Sequence, residues 1–146
     1  MIGFFIALLS GAMMSVQGVW NTGVTKQTSL WVANGFVQIT AFAVCMAGWF
    51  LEGRHSVLEL LKVSPKYYLL GGILGACITW TVIQSMSSLG PAKATMLIVI
   101  AQLAVSYLIE LAGIFGVERT GFVWHKLIGV LIMAGGIVLF QWGSES

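Results

Sequence analysis

Charge is what this chain has least of. Aspartate, glutamate, lysine and arginine together make up 8% of its 146 residues, where a soluble domain carries about 25%. A water-soluble globule of this size, 58% hydrophobic, would expose too much apolar surface to stay in solution. Seven lysines and arginines cannot build a basic face, so no nucleic-acid partner is expected. The formal charge of +2 bears on membrane orientation, not on partners. Cysteine is nearly absent too. Cys45 and Cys77 both fall inside apolar stretches, with no metal-type spacing and no disulfide framework, and read as small packing residues. The two histidines, His55 and His125, fall in a loop or at a helix start. No nucleophile–base pair shares a membrane depth, and there is no HExxH and no phosphate-binding glycine motif. Neither catalysis nor a cofactor nor a metal is expected.

What the chain has instead is one apolar run after another, with a mean hydropathy of +0.96. A spanning helix needs about 20 apolar residues, so five spans use about 100 positions and leave no room for a soluble domain. The runs at 2–22, 30–51, 67–89, 92–114 and 122–142 predict an all-α integral membrane bundle of five transmembrane helices. They form a single membrane domain over 1–146. Trp20, Trp31, Trp49, Tyr67, Tyr68, Trp124 and Trp142 sit near the ends of these runs, as an aromatic belt at headgroup level does. Gly90-Pro91 separates the third and fourth runs, with proline where a helix can begin. The first run lacks a basic leading region and a small-x-small cleavage site, so it reads as a retained helix and not a signal peptide. The one sizeable loop, 52–66, contains Val57-Leu58-Glu59-Leu60-Leu61-Lys62. Its amphipathic helical spacing suits either an interfacial segment or a plain solvated connector.

Lysine and arginine set orientation. One side holds the N-terminus and five basic residues, Arg54, Lys62, Lys66, Arg119 and Lys126; the other holds Lys26, Lys93 and the C-terminus. The positive-inside rule then places the N-terminus in the cytoplasm, by a modest margin.

Lipid offers no hydrogen bonds, so polar side chains within spans should face protein or water. Ser10, Gln17 and Asn21 share one helical face, with Met14 between them. Asn34, Gln38, Cys45 and Gly48 share another, as do Cys77, Thr81, Gln84 and Ser88, and Thr95, Gln102, Ser106 and Glu110. The fifth run has no such stripe and offers only Gly129, Gly135 and Gly136 for close packing. The stripes have two readings. They glue helices together, with bonds averaging roughly 0.6 kcal/mol, or they converge on a wet cavity. Four glutamines on four separate helices are more than packing requires, which favours the cavity. Gly71/Gly75 and Gly72/Ala76 are small-xxx-small pairs that support close helix approach. Glu110 is the one carboxylate inside a run. At about 1.5 Å per residue it lies about 27 Å from Ala92, near the inner boundary, while Gln102 lies about 15 Å along, near mid-membrane. Glu110 is either an interfacial, helix-pairing group or a proton- or cation-binding group at the inner mouth of the cavity.

The order and spacing of several segments resemble a known family. They are Gly71-Gly72-Ile73-Leu74-Gly75-Ala76, Leu89-Gly90-Pro91-Ala92, Ile100-Ala101-Gln102-Leu103-Ala104-Val105-Ser106, Glu110-Leu111-Ala112-Gly113, Leu127-Ile128-Gly129-Val130 and Ala134-Gly135-Gly136-Ile137-Val138-Leu139. Gln17 and Asn21, four apart, add a Q-x-x-x-N in the first helix. Together they resemble the YdcZ-type family of short bacterial inner-membrane exporters, in the drug/metabolite transporter superfamily. The family usually has Asp where this chain has Glu110. The stretch Gly116-Val117-Glu118-Arg119 resembles the G-E segment before the last helix of each repeat in ten-helix members, which makes Glu118 a structural loop-end carboxylate. The resemblance implies half of an inverted-repeat transporter, completed by a second copy in an antiparallel homodimer or by a paired paralogue. It implies a secondary transporter that exports a small metabolite or drug-like solute by alternating access. Gln17, Asn21, Gln38, Gln84, Gln102 and Ser106 would bind the solute and Glu110 would be the coupling group. The small multidrug-resistance relatives carry a glutamate in the first helix, which this chain lacks, so their proton-coupled exchange of organic cations is not carried over. Two alternatives stand beside this reading. One is a non-transporting membrane subunit or scaffold whose stripes serve packing. The other is a channel, which would need polar residues along a whole pore face.

Overall fold

The computed structural model describes residues 2–142. Among them the regular elements are all helical: α1 (Ile2–Gln27), α2 (Leu30–Leu51), α3 (Gly71–Leu89), α4 (Pro91–Ala112) and α5 (Trp124–Gln141). Two 3-10 turns, Val57–Lys62 and Lys66–Leu70, occupy the long loop and the approach to α3. The amphipathic stretch of that loop is therefore wound, but as a tight turn and not an α-helix. Four helices are long and apolar enough to cross a membrane: α1, α2, α3 with its preceding turn (Lys66–Leu89), and α4. The fifth is apolar but shorter. Its 18 residues reach about 27 Å, just under the hydrocarbon thickness of a bilayer.

Local chemistry explains the helix ends. α1 continues past the end of its apolar run at Thr22, and the threonine hydroxyls there are satisfied by carbonyls within their own helix. Thr22, Thr25 and Thr28 donate to Gly18 O, Asn21 O and Val24 O at 2.8, 2.9 and 2.8 Å. The last of these adds a second donor to a carbonyl that already accepts the Thr28 N–H at 3.0 Å. Ser29 then restarts the chain. It is extended and accepts the Val32 N–H on its side chain at 3.2 Å, an N-cap for α2. Between α3 and α4, Gly90 adopts φ 80° and ψ 159°, a region open essentially to glycine alone. Pro91 follows in the first position of α4, where a missing N–H costs no bond.

The chain divides into two compact units, Met1–Pro91 and Ala92–Ser146. In the first, α1, α2 and α3 each pack on the other two. The seam holds Ala33 and Ile83, fully buried, with Met86, Asn34, Asn21 and Thr22 nearly so. Most large apolar side chains lie on the outside, Phe4, Phe42, Ile39 and Leu51 among them. This inside-out distribution is the one lipid rewards and water penalises. Close helix approach falls at Gly18, and the glycines of the small-residue pairs of α3 take no part in one. An added methyl would meet Met86 at Gly18, whereas it would meet nothing within 4 Å at Gly71, Gly72 or Gly75. In the second unit, the loop after α4 folds back on it. Thr120 N–H donates to Glu110 O at 2.9 Å and Arg119 Nε to Leu111 O at 3.1 Å.

Candidate functional site

The stripe of α1 lines a groove. Gln17 and Asn21 face α2 across an opening of about 540 Å³ that Phe36, Thr40 and Cys45 also line. A second opening, of about 900 Å³, is lined by Ser10, Met14, Gln17 and Asn21, so the four residues of that stripe share one wall. Gln17 is exposed and Asn21 is nearly buried. Both have side-chain amides without hydrogen-bond partners among the described residues.

Gln38 is placed differently. Its Nε2 donates to Asn34 Oδ1 at 3.3 Å and to Thr79 Oγ1 on α3 at 3.4 Å. Asn34, only 4% exposed, donates from Nδ2 to Ala76 O at 3.0 Å. The bonds to Thr79 and Ala76 tie α2 to α3, so at this position the polar stripe does act as helix glue. A smaller groove of about 370 Å³ lies beside it, lined by Asn34, Cys77, Thr81 and two tryptophans, Trp31 and Trp80. The two rings stack with centroids 6.4 Å apart. Gln84, also on α3, is exposed, and its amide has no hydrogen bond among the described residues.

In the second unit Gln102 and Ser106 are exposed along α4. Glu110, half-buried, receives the Lys126 ammonium at 2.5 Å. Lys126 also lies 5.5 Å from the centre of the Tyr107 ring, within cation–π range. Tyr107 is buried. Its hydroxyl donates to Val123 O at 3.2 Å and accepts the Val123 N–H at 3.0 Å. The carboxylate singled out in the sequence is thus one end of a cluster that joins α4 to the first turn of α5.

The structure therefore brings Gln17 together with Asn21, and Gln38 with Asn34 and Thr79. It places Gln102, Ser106 and Glu110 in a separate unit. The sequence puts Asn34 on the Gln38 face without marking it as a site residue, gives no sign of Thr79 or Tyr107, and marks Lys126 only as a loop charge and not as the partner of Glu110. The four-residue spacing of Asn34 and Gln38 was a usable signal. Lys126, sixteen residues beyond Glu110 and past an irregular loop, carries no periodic one.

Among the described residues the regular elements are all helical, and four helices are apolar and long enough to cross a membrane, with amides striped along them and one carboxylate of α4 ion-paired to α5; this is the make-up of a polytopic membrane protein. The chain belongs to the YdcZ family of the drug/metabolite transporter superfamily: residues 2–139 match the family model described as "Putative inner membrane exporter, YdcZ". That description is of a transporter and not an enzyme. No curated protein and no solved structure matches the chain.

Proposed function

We propose that the chain is one half of a secondary transporter that exports a small metabolite or drug-like solute across the inner membrane. It spans five times as one membrane domain, with its N-terminus in the cytoplasm. It works by alternating access as an antiparallel homodimer or with a paralogue. Gln17, Asn21, Gln38, Gln84, Gln102 and Ser106 line the solute path, and Glu110 is the coupling group at its inner mouth.

The observation that carries this reading is the set of unpartnered amides. Gln17, Gln84 and Gln102 stand exposed on apolar helices, and hydrocarbon cannot satisfy them. A water-filled path closed by a second subunit can. Inverted repeats put their solute site at such an interface, near the midplane. The test is flux. A solute is found by thermal stabilisation of the purified protein and followed into proteoliposomes. Gln102→Leu is expected to lower its flux about tenfold or more, as losing a buried polar contact does, with expression and particle size unchanged. Normal flux in that variant would remove Gln102 from the path.

One observation favours a second reading, a non-transporting membrane subunit. The Asn34–Ala76 and Gln38–Thr79 bonds are interhelical packing, and the same use for every stripe would leave no path. That reading expects a stable stoichiometric complex with a different membrane protein, and no solute that stabilises the chain.

A further inference from the structure

An amide can offer a solute either its donors or its acceptor. Gln17, Gln84 and Gln102 keep that choice. Gln38 does not, and the reason starts at a backbone oxygen. A carbonyl only accepts, so the Asn34 atom that meets Ala76 O at 3.0 Å is the nitrogen. Asn34 Oδ1 is then the atom turned toward Gln38, and an oxygen at 3.3 Å calls for a donor opposite it. The Thr79 hydroxyl spends its proton on Gly75 O at 3.0 Å, so toward Gln38, at 3.4 Å, it too is an acceptor. Two acceptors face one amide end, and only Nε2, with two protons, satisfies both. The opposite orientation would set Oε1 against two oxygens. Asn34 is nearly buried, which holds the first link of the chain in place. The one polar atom of Gln38 left over is Oε1. It has no partner among the described residues, yet it is not sealed off within the protein.

We propose that Gln38 is a one-way hydrogen-bond acceptor in the solute path, held so by Asn34 and Thr79 as positioning residues, and that the solute meets it with an N–H or O–H group. The inference rests on the transporter reading and narrows it. An amine, a secondary amide or an alcohol gains a bond at this wall. A solute that presents only acceptors, such as a carboxylate, a phosphate or a tertiary amide, gains none.

The test uses a probe pair that differs by one N–H, N-methylacetamide and N,N-dimethylacetamide. The full chain is reconstituted in lipid nanodiscs with ¹³C-labelled glutamine. The Gln38 side-chain carbonyl signal is assigned by its loss in Gln38→Leu. N-methylacetamide is expected to shift that signal with an affinity about fivefold above that of the dimethyl compound, the factor one hydrogen bond supplies. In Asn34→Leu the amide is free to turn, and the ratio should fall toward one. Thr79→Val gives the same readout from the other side, should Asn34→Leu not fold. An equal response to both probes, no response to either, or a ratio unchanged in the folded positioning variant would overturn the proposal. The premise fails separately. Discrimination at Gln38 without Gln102-dependent flux would leave an acceptor with no solute to serve and overturn the proposal through the transport reading. Gln102-dependent flux with no discrimination would overturn the proposal alone.

Discussion

At Gly18 the missing side chain is the contact. A Cβ there would lie 2.5 Å from both Sδ and Cε of Met86, so α3 pushes a thioether into the notch that glycine leaves in α1. Gly11, two turns earlier in the same helix, has open space around the equivalent position. Replacing a helical glycine by alanine gains about 0.5–1 kcal/mol. Overpacking costs about 1–3 kcal/mol, and the flexible end of methionine keeps that cost near the low end. The two substitutions should therefore differ in size. At Gly18→Ala the gain and the cost nearly cancel, so stability is expected to stay level or fall by up to about 0.5 kcal/mol, whereas Gly11→Ala should raise it by about 0.5–1 kcal/mol, in denaturant unfolding followed in one micelle. Equal effects would mean that Met86 does not occupy the notch. The sequence could not point to Gly18. Spacing shows which small residues share a helical face, as it does for Gly71 and Gly75, but it does not show which face meets another helix. Gln38 teaches the same lesson. Its pairing with Asn34 could be read from a four-residue interval, while the partner that fixes its orientation, Thr79, is 41 residues away and becomes a neighbour only through the packing of α2 on α3.

Among the elements, the all-helical class was legible because apolar runs of membrane length leave the backbone no other way to satisfy itself in lipid. Helix ends were less so. A span is set by bilayer thickness and a helix by backbone bonding, so α1 runs on to Gln27 through threonines that donate to their own turn. The junction between α4 and α5 left no trace in the apolar pattern. It is held by Tyr107, whose hydroxyl both donates to and accepts from Val123, the residue that precedes α5 and gives it no side-chain cap. The tight turn at Gly113, with φ 65° and Arg119 packed where a Cβ would go, aims the loop back at that hydroxyl. Removing the hydroxyl in Tyr107→Phe takes away bonds worth about 1 kcal/mol and should raise local opening about fivefold. Trypsin reads this directly. Cleavage after Arg119 in the micelle-bound protein should accelerate about fivefold, while cleavage after Arg54 keeps its rate. Parallel acceleration at both sites would indicate global loosening and remove the strap assigned to Tyr107.

For the whole molecule, the balance of charge between the loops bears on which way the chain lies in the bilayer. Five lysines and arginines flank one side of the proposed spans and two the other. The positive-inside rule turns that difference into an orientation, with short loops weighing most. An inverted-repeat assembly needs both orientations, either from two copies of this chain or from this chain and a partner of opposite bias. A five-to-two excess opposes dual insertion, so a paralogue is the better-matched partner, and the bias itself can be edited. With a reporter at the C-terminus that is scored from each face of intact cells, the native chain should report mainly from outside. Arg54→Ala with Lys62→Ala leaves three basic residues against two and should bring a substantial share of the chains into the reverse orientation. If the native chain reports from both sides, it needs no paralogue and the antiparallel homodimer is the assembly. If the double variant stays in one orientation, loop charge does not set the topology, and the lysine and arginine count loses its standing as an argument for either partner.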